Sequence, residues 1–107
     1  MRGFPIVALG AGLAWCTAAA AQDVAQAEAL LKKSGCMKCH AVSAKKEGPS
    51  FKDVASRYKG KADAEERLLE KLRKGSSGAW GQLSMPPNPD LPETDARRLI
   101  QWVLGAV

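Results

Sequence analysis

Cys36 and Cys39 stand three residues apart in the run Cys36-Met37-Lys38-Cys39-His40, a C-x-x-C-H pattern. Two thiols at this spacing reach the two vinyl groups on one side of a porphyrin and form thioether bonds. The next residue, His40, then lies beneath the ring with an imidazole nitrogen for the iron. These residue types in this order imply attachment of one c-type haem. Other uses of the cysteines fail on counting. A structural zinc site takes about four Cys or His ligands, whereas the chain beyond residue 21 holds two cysteines and one histidine, all in this run. A thiol oxidoreductase would set C-x-x-C on a βαβ framework, and the chain shows no strand pattern.

The same count bears on the sixth iron ligand. His40 is the only histidine, which excludes two-histidine ligation within the chain. Met1 belongs to a segment expected to be removed, and Met37 is locked between the two cysteines. Met85 remains, about 45 residues downstream in Ser84-Met85-Pro86-Pro87-Asn88-Pro89 and long enough in reach to pass around the ring. Prolines reduce the conformational freedom lost on folding, which suits a loop holding a weak thioether on iron. His/Met ligation raises the reduction potential and fills both axial positions. The expected function is therefore electron transfer, not catalysis. A peroxidase or gas sensor would need an open or easily released sixth position.

The elements that must position these groups are helical. After residue 22 the apolar residues recur at helical spacing in four windows separated by Gly and Pro. The first carries Val24, Ala27, Leu30, Leu31 and Ser34 and stops at Gly35. The second carries Phe51, Val54, Ala55 and Tyr58 and ends at Gly60. The third starts near Asp63, with Glu66 three residues on as a capping box. It buries Leu68, Leu69 and Leu72 and closes at Gly75. The fourth follows Pro92 with Ala96, Leu99, Ile100, Val103 and Val107 on one face. Long loops, AVSAKKEGPS and GSSGAWGQLSMPPNPDLP, lie between. The fold class is all-α, with four to five short helices and long loops wrapped around one covalently bound haem. That cofactor would complete a core to which residues 22–107 bring only four aromatics, Phe51, Tyr58, Trp80 and Trp102.

Residues 1–21 read as an address. Met1-Arg2 is followed by an uncharged stretch to Gln22, with an apolar run and an Ala18-Ala19-Ala20-Ala21 end. This is the pattern of a secretory signal peptide cleaved after Ala21. An uncleaved anchor fits less well, because Gly, Ala and Pro5 keep the stretch weakly hydrophobic, and Trp15 is unlike the small residue before a lipidated cysteine. Cleavage leaves 86 residues, 22–107, as one monohaem domain. The full chain carries +5; loss of Arg2 leaves 15 basic against 11 acidic side chains, a charge of +4. The expected compartment is the periplasm.

The chain resembles the small bacterial class I cytochromes c of the c-551/c-552 type. The segments that carry the resemblance are GCMKCH, GPSFKDVASRYKG, GSSGAWGQLSMPPNP and RRLIQWVL. It implies that the first and last helices cross around the haem. It implies that Cys36 and Cys39 hold the haem and that His40 and Met85 ligate iron. Pro49 would supply a backbone carbonyl to the proximal imidazole, Trp80 an indole N–H to a propionate, and Asn88 a hydrogen bond near the Met sulfur. Lys71 stands where relatives often have Arg for a propionate; it keeps the charge but loses the planar fork. The resemblance also implies a shuttle from a quinol-oxidising complex to a nitrite reductase or an oxidase.

Lys32, Lys33, Lys38, Lys45, Lys46 and Lys52 flank the attachment run. A ring of positive charge around a haem edge would steer redox proteins with acidic or apolar docking patches. The modest charge and the exported compartment argue against nucleic acid. A monomer without a membrane partner is expected for the mature form.

Overall fold

The computed structural model describes residues 3–6, 8, 10, 12 and 16–106. The expected cleaved segment, residues 1–21, is only partly among these, and Val107 lies outside them. Four α-helices follow one another: α1 (Cys16–Lys33), α2 (Phe51–Tyr58), α3 (Ala64–Lys74) and α4 (Glu93–Leu104). A single 3₁₀ turn, Cys36–Lys38, follows α1. Two two-residue strands, β1 (Ser76–Ser77) and β2 (Ser84–Met85), pair antiparallel, with Ser76 opposite Met85 and Ser77 opposite Ser84. The sequence carries no sign of this ribbon, because two residues are too few to show alternation.

Helix α4 is the central element and packs against α1, α2 and α3. Its Ala96, Leu99, Ile100 and Val103 are all buried, as the spacing predicts. Leu31 of α1 and Phe51, Val54 and Tyr58 of α2 join Leu99 and Val103 in the larger core cluster. Leu69 of α3 joins Ala96 and Ile100 in the smaller one. Ser50, itself buried, caps α2 by accepting from the Asp53 amide at 3.1 Å.

Three expectations need correction. Val24 sits at the helical spacing of a core residue, yet it is 45% exposed. It lies over a shallow cleft between α1 and α4 beside Arg98 and Trp102, instead of inside the core. Leu68 and Leu72 are half-buried, not buried, because they line the site cleft described below. The capping box does not form. Asp63 is the N-cap of α3, but its φ of −97° and ψ of 11° lie outside the extended region that caps normally adopt, and its side chain makes no cap bond. Its carboxylate pairs with Arg67 at 3.7 Å instead. Glu66 turns outward to Arg97 of α4, Oε1 to Nη1 at 2.7 Å, and this guanidinium holds the Glu66 carboxyl below its usual range. Arg97 also reaches Glu65 at 3.5 Å and Glu93 at 3.6 Å. A cross-helix ion cluster therefore takes the glutamate that local pattern assigns to the cap.

Candidate functional site

The attachment run forms where α1 stops. Gly35 adopts φ +80°, a conformation glycine takes without steric cost. The chain then closes one tight turn, with Cys39 and His40 amides both donating to the Cys36 carbonyl at 3.2 and 3.0 Å. This puts both thiols and the imidazole on the wall of one cleft of about 370 Å³, within the roughly 300–1,000 Å³ of sites that take small molecules and cofactors. Further lining comes from α3, β2 and the loop after it: Leu68, Lys71, Leu72, Met85 and Asn88. Cys36, Cys39, His40 and Met85, from separate parts of the chain, thus converge on one largely apolar space.

His40 is closely held. Its Nδ1 donates to the Pro49 carbonyl at 2.7 Å. A carbonyl can only accept, so Nδ1 carries the proton and Nε2 keeps its lone pair for a metal, with the ring orientation fixed by this outer contact. The imidazole stacks on Phe51 at 5.0 Å between centroids and 20° between planes. Phe51 in turn meets Trp102 edge-on at 5.8 Å and 87°. Gly48 lies so close to the ring that a Cβ there would sit 2.6 Å from Cε1, 2.9 Å from Nδ1 and 3.0 Å from Nε2. The segment is tied back by the Gly48 amide to the Cys39 carbonyl at 2.7 Å and the Phe51 amide to the Ala41 carbonyl at 2.9 Å.

The two thiols are not activated. Burial pushes the Cys36 thiol above its ordinary value. Cys39 is raised chiefly because its Sγ donates to the Glu47 carboxylate at 3.4 Å. Reactive and metal-bound cysteines show the reverse, a lowered pKa in positive surroundings.

Met85 is half-buried, and its backbone is pinned opposite Ser76. Gly75, at φ +78°, lies under it: a Cβ there would meet the Met85 carbonyl oxygen at 2.6 Å and the Pro87 nitrogen at 3.1 Å. The Asn88 amide donates to the Leu72 carbonyl at 2.7 Å, and the Asn88 side-chain Nδ2 donates to the Pro86 carbonyl at 3.3 Å. Lys71 is half-buried on the cleft wall. Trp80 also lines the cleft, and the Arg57 guanidinium lies over its ring at 3.5 Å from the centroid. Arg57 also donates to the Ala79 carbonyl, so the indole plane is clamped from α2.

The sequence reading missed Arg57 and Gly48 as parts of the site. Nothing local marks them: each acts through a contact to another element, and an arginine on a short helix reads as solvated surface. The donor set fits a covalently held haem, with two thiols, an oriented imidazole and a thioether around an apolar cleft.

Comparison with known proteins gives the same direction. Residues 24–106 match the family model described as cytochrome c. The chain is 49% identical over 76 residues to cytochrome c-551 of Allochromatium vinosum, covering 71% of this chain and 81% of that one. It is 43% identical over 105 residues to cytochrome c-552 of Hydrogenobacter thermophilus, covering 98% of each. The crystal structure of wild-type Nitrosomonas europaea cytochrome c552 superimposes with a TM-score of 0.72 at 44% identity, over 75% of this chain and 99% of that chain.

Proposed function

Because the chain belongs to the cytochrome c family, electron-transfer proteins with one covalently attached haem c, we propose that it is a periplasmic single-electron shuttle with His40 and Met85 as axial ligands. Cys36 and Cys39 would hold the haem through two thioethers. The observation that carries the reading is the convergence of these four side chains on one cleft.

The bound haem supplies an iron that cycles between ferrous and ferric states. The chain's residues govern that cycle. The Pro49 carbonyl orients His40 and leaves Nε2 as the ligand atom. The thioether of Met85 favours ferrous iron and so a higher potential. Apolar walls from Leu68, Leu72 and Ile100 keep water away. Two fixed ligands let the charge change with little movement. Lys71 and Trp80, both on the cleft wall, would receive the propionates, and Asn88 steadies the Met85 loop through its bonds to Leu72 and Pro86.

Residues 1–21 act as a cleaved signal peptide in this reading, and the pattern of charge, apolar run and alanines supports it. No helix among the described residues is long and apolar enough to cross a membrane. The electron donor is a quinol-oxidising complex, and the acceptor is a nitrite reductase or an oxidase.

Absorption spectra of the exported protein in both redox states test the assignment. A c-type spectrum with the weak red band of ferric iron bound to Met sulfur is expected. Absence of that band with ready carbon monoxide binding would indicate an open-site haem enzyme, and absence of haem a dithiol protein. The docking surface has its own test. Lys32, Lys33, Lys38, Lys45, Lys46 and Lys52 are all exposed, so electron transfer to an acidic partner should slow as salt shortens the Debye length from ~30 Å at 0.01 M to ~8 Å at 0.15 M. A flat or rising rate would refute steering by this face.

A further inference from the structure

We propose that Arg73 is a positioning residue for the sixth iron ligand, strapping the loop that carries Met85 onto the end of α3. The proposal rests on the reading of Met85 as that ligand.

The loop leaves β2 at Met85 and reaches α4 through Pro86-Pro87-Asn88-Pro89-Asp90-Leu91-Pro92. Four of these seven residues are prolines and carry no amide N–H, so the segment has few donors with which to close turns of its own. Its carbonyls must find donors elsewhere. The last turn of α3 provides the grip at three successive points. Gly75 lies directly under the Met85 carbonyl and the Pro87 nitrogen. The Leu72 carbonyl receives the Asn88 amide at 2.7 Å. Arg73 Nη1 donates to the Leu91 carbonyl and, at 3.4 Å, to that of Pro89.

The first two contacts are made by backbone atoms and hold the near half of the loop. Arg73 is the only side chain of that turn hydrogen-bonded to the loop among the described residues, and it grips the far half, where Leu91 also packs on the core. A guanidinium offers five donors in a rigid fork, so one residue satisfies two carbonyls of a donor-poor segment. Arg73 is half-buried, which keeps these charge-assisted bonds from being fully exchanged for water. Without it the stretch from Pro89 to Leu91 loses both of its hydrogen bonds to α3 and is held by the packing of Leu91 on the core and by the start of α4 at Pro92. The thioether then competes less well against an external ligand for the iron.

The test uses the ferric holoprotein and imidazole as the probe for the sixth position. Arg73→Gln is expected to bind imidazole about tenfold more tightly than the unaltered protein, equivalent to ~1.4 kcal/mol. Its red Met–iron band should disappear on heating before the helical circular dichroism does. Arg73→Lys, with a charge but no fork, should fall between. Affinities within twofold of the unaltered protein, or a band that melts together with the helices, would overturn the strap and leave Arg73 a general stabiliser. The unaltered protein and Met85→Ala separate the two layers of the argument. An unaltered protein without the red band, with an imidazole affinity matched by Met85→Ala, refutes the ligand and with it the strap. A band that is present, with no effect of either Arg73 variant, refutes the strap alone.

Discussion

Met85→Ala is expected to abolish the red band of the ferric protein and lower the reduction potential by on the order of 0.1 V or more, inside the ~0.8 V range that axial ligands span. Carbon monoxide should then bind the ferrous form readily. The size of the effect follows from the absence of a substitute. Met37 is held within the attachment turn and packs toward the core formed with Leu31 and Phe51, and His40 is the only histidine of the chain. No second soft ligand stands on the Met85 side of the cleft among its lining residues. The cost in stability should be smaller than for a core methionine, near the low end of ~2–5 kcal/mol, because Met85 is half-buried. Visible spectra and redox titration check both statements. Survival of the band in the variant would remove Met85 from the iron.

Gly48→Ala should destabilise the holoprotein by ~1–3 kcal/mol, the usual cost of overpacking. The added Cβ would stand 2.6 Å from His40 Cε1, and one of the two must move. The imidazole has little room to yield, since Nδ1 is bonded to Pro49 and the ring is stacked on Phe51. Gly48 is itself buried and bonded to the Cys39 carbonyl. The methyl group therefore acts against the proximal ligand, and a changed potential should accompany the loss of stability. Denaturant unfolding and redox titration of the variant measure both. Unchanged values would mean that the cradle is looser than its geometry implies. Gly60, at φ +78° and with nothing within 4 Å of a Cβ, marks the contrast: alanine there strains only the backbone and should leave the potential alone.

The chemistry of the site was legible because it is written in residue types and short spacings. C-x-x-C-H needs no folding to be recognised, and one histidine with three methionines leaves few ways to ligate an iron. The helices were legible for a similar reason: the apolar residues of α2 and α4 repeat every three to four positions and are buried as that repeat requires. The same periodicity misjudged Val24, Leu68 and Leu72. It reports that a face is apolar, not whether a neighbouring helix, a shallow cleft or a cofactor covers it.

The sequence by itself determined the cofactor class, the four helical windows, the candidate attachment cysteines and the candidate pair of axial ligands. Each depends on identity and local spacing alone. Only the tertiary structure decided how those ligands are held. The Pro49 carbonyl on His40, the Gly48 and Gly75 cradles, the Arg57 clamp on Trp80 and the Arg73 strap on Leu91 join residues 8–23 positions apart. Such contacts arise when α2, α3 and α4 pack and bring loop carbonyls within reach of particular side chains. No one-dimensional pattern encodes that distance, because the free energy that sets it comes from burial of the whole core.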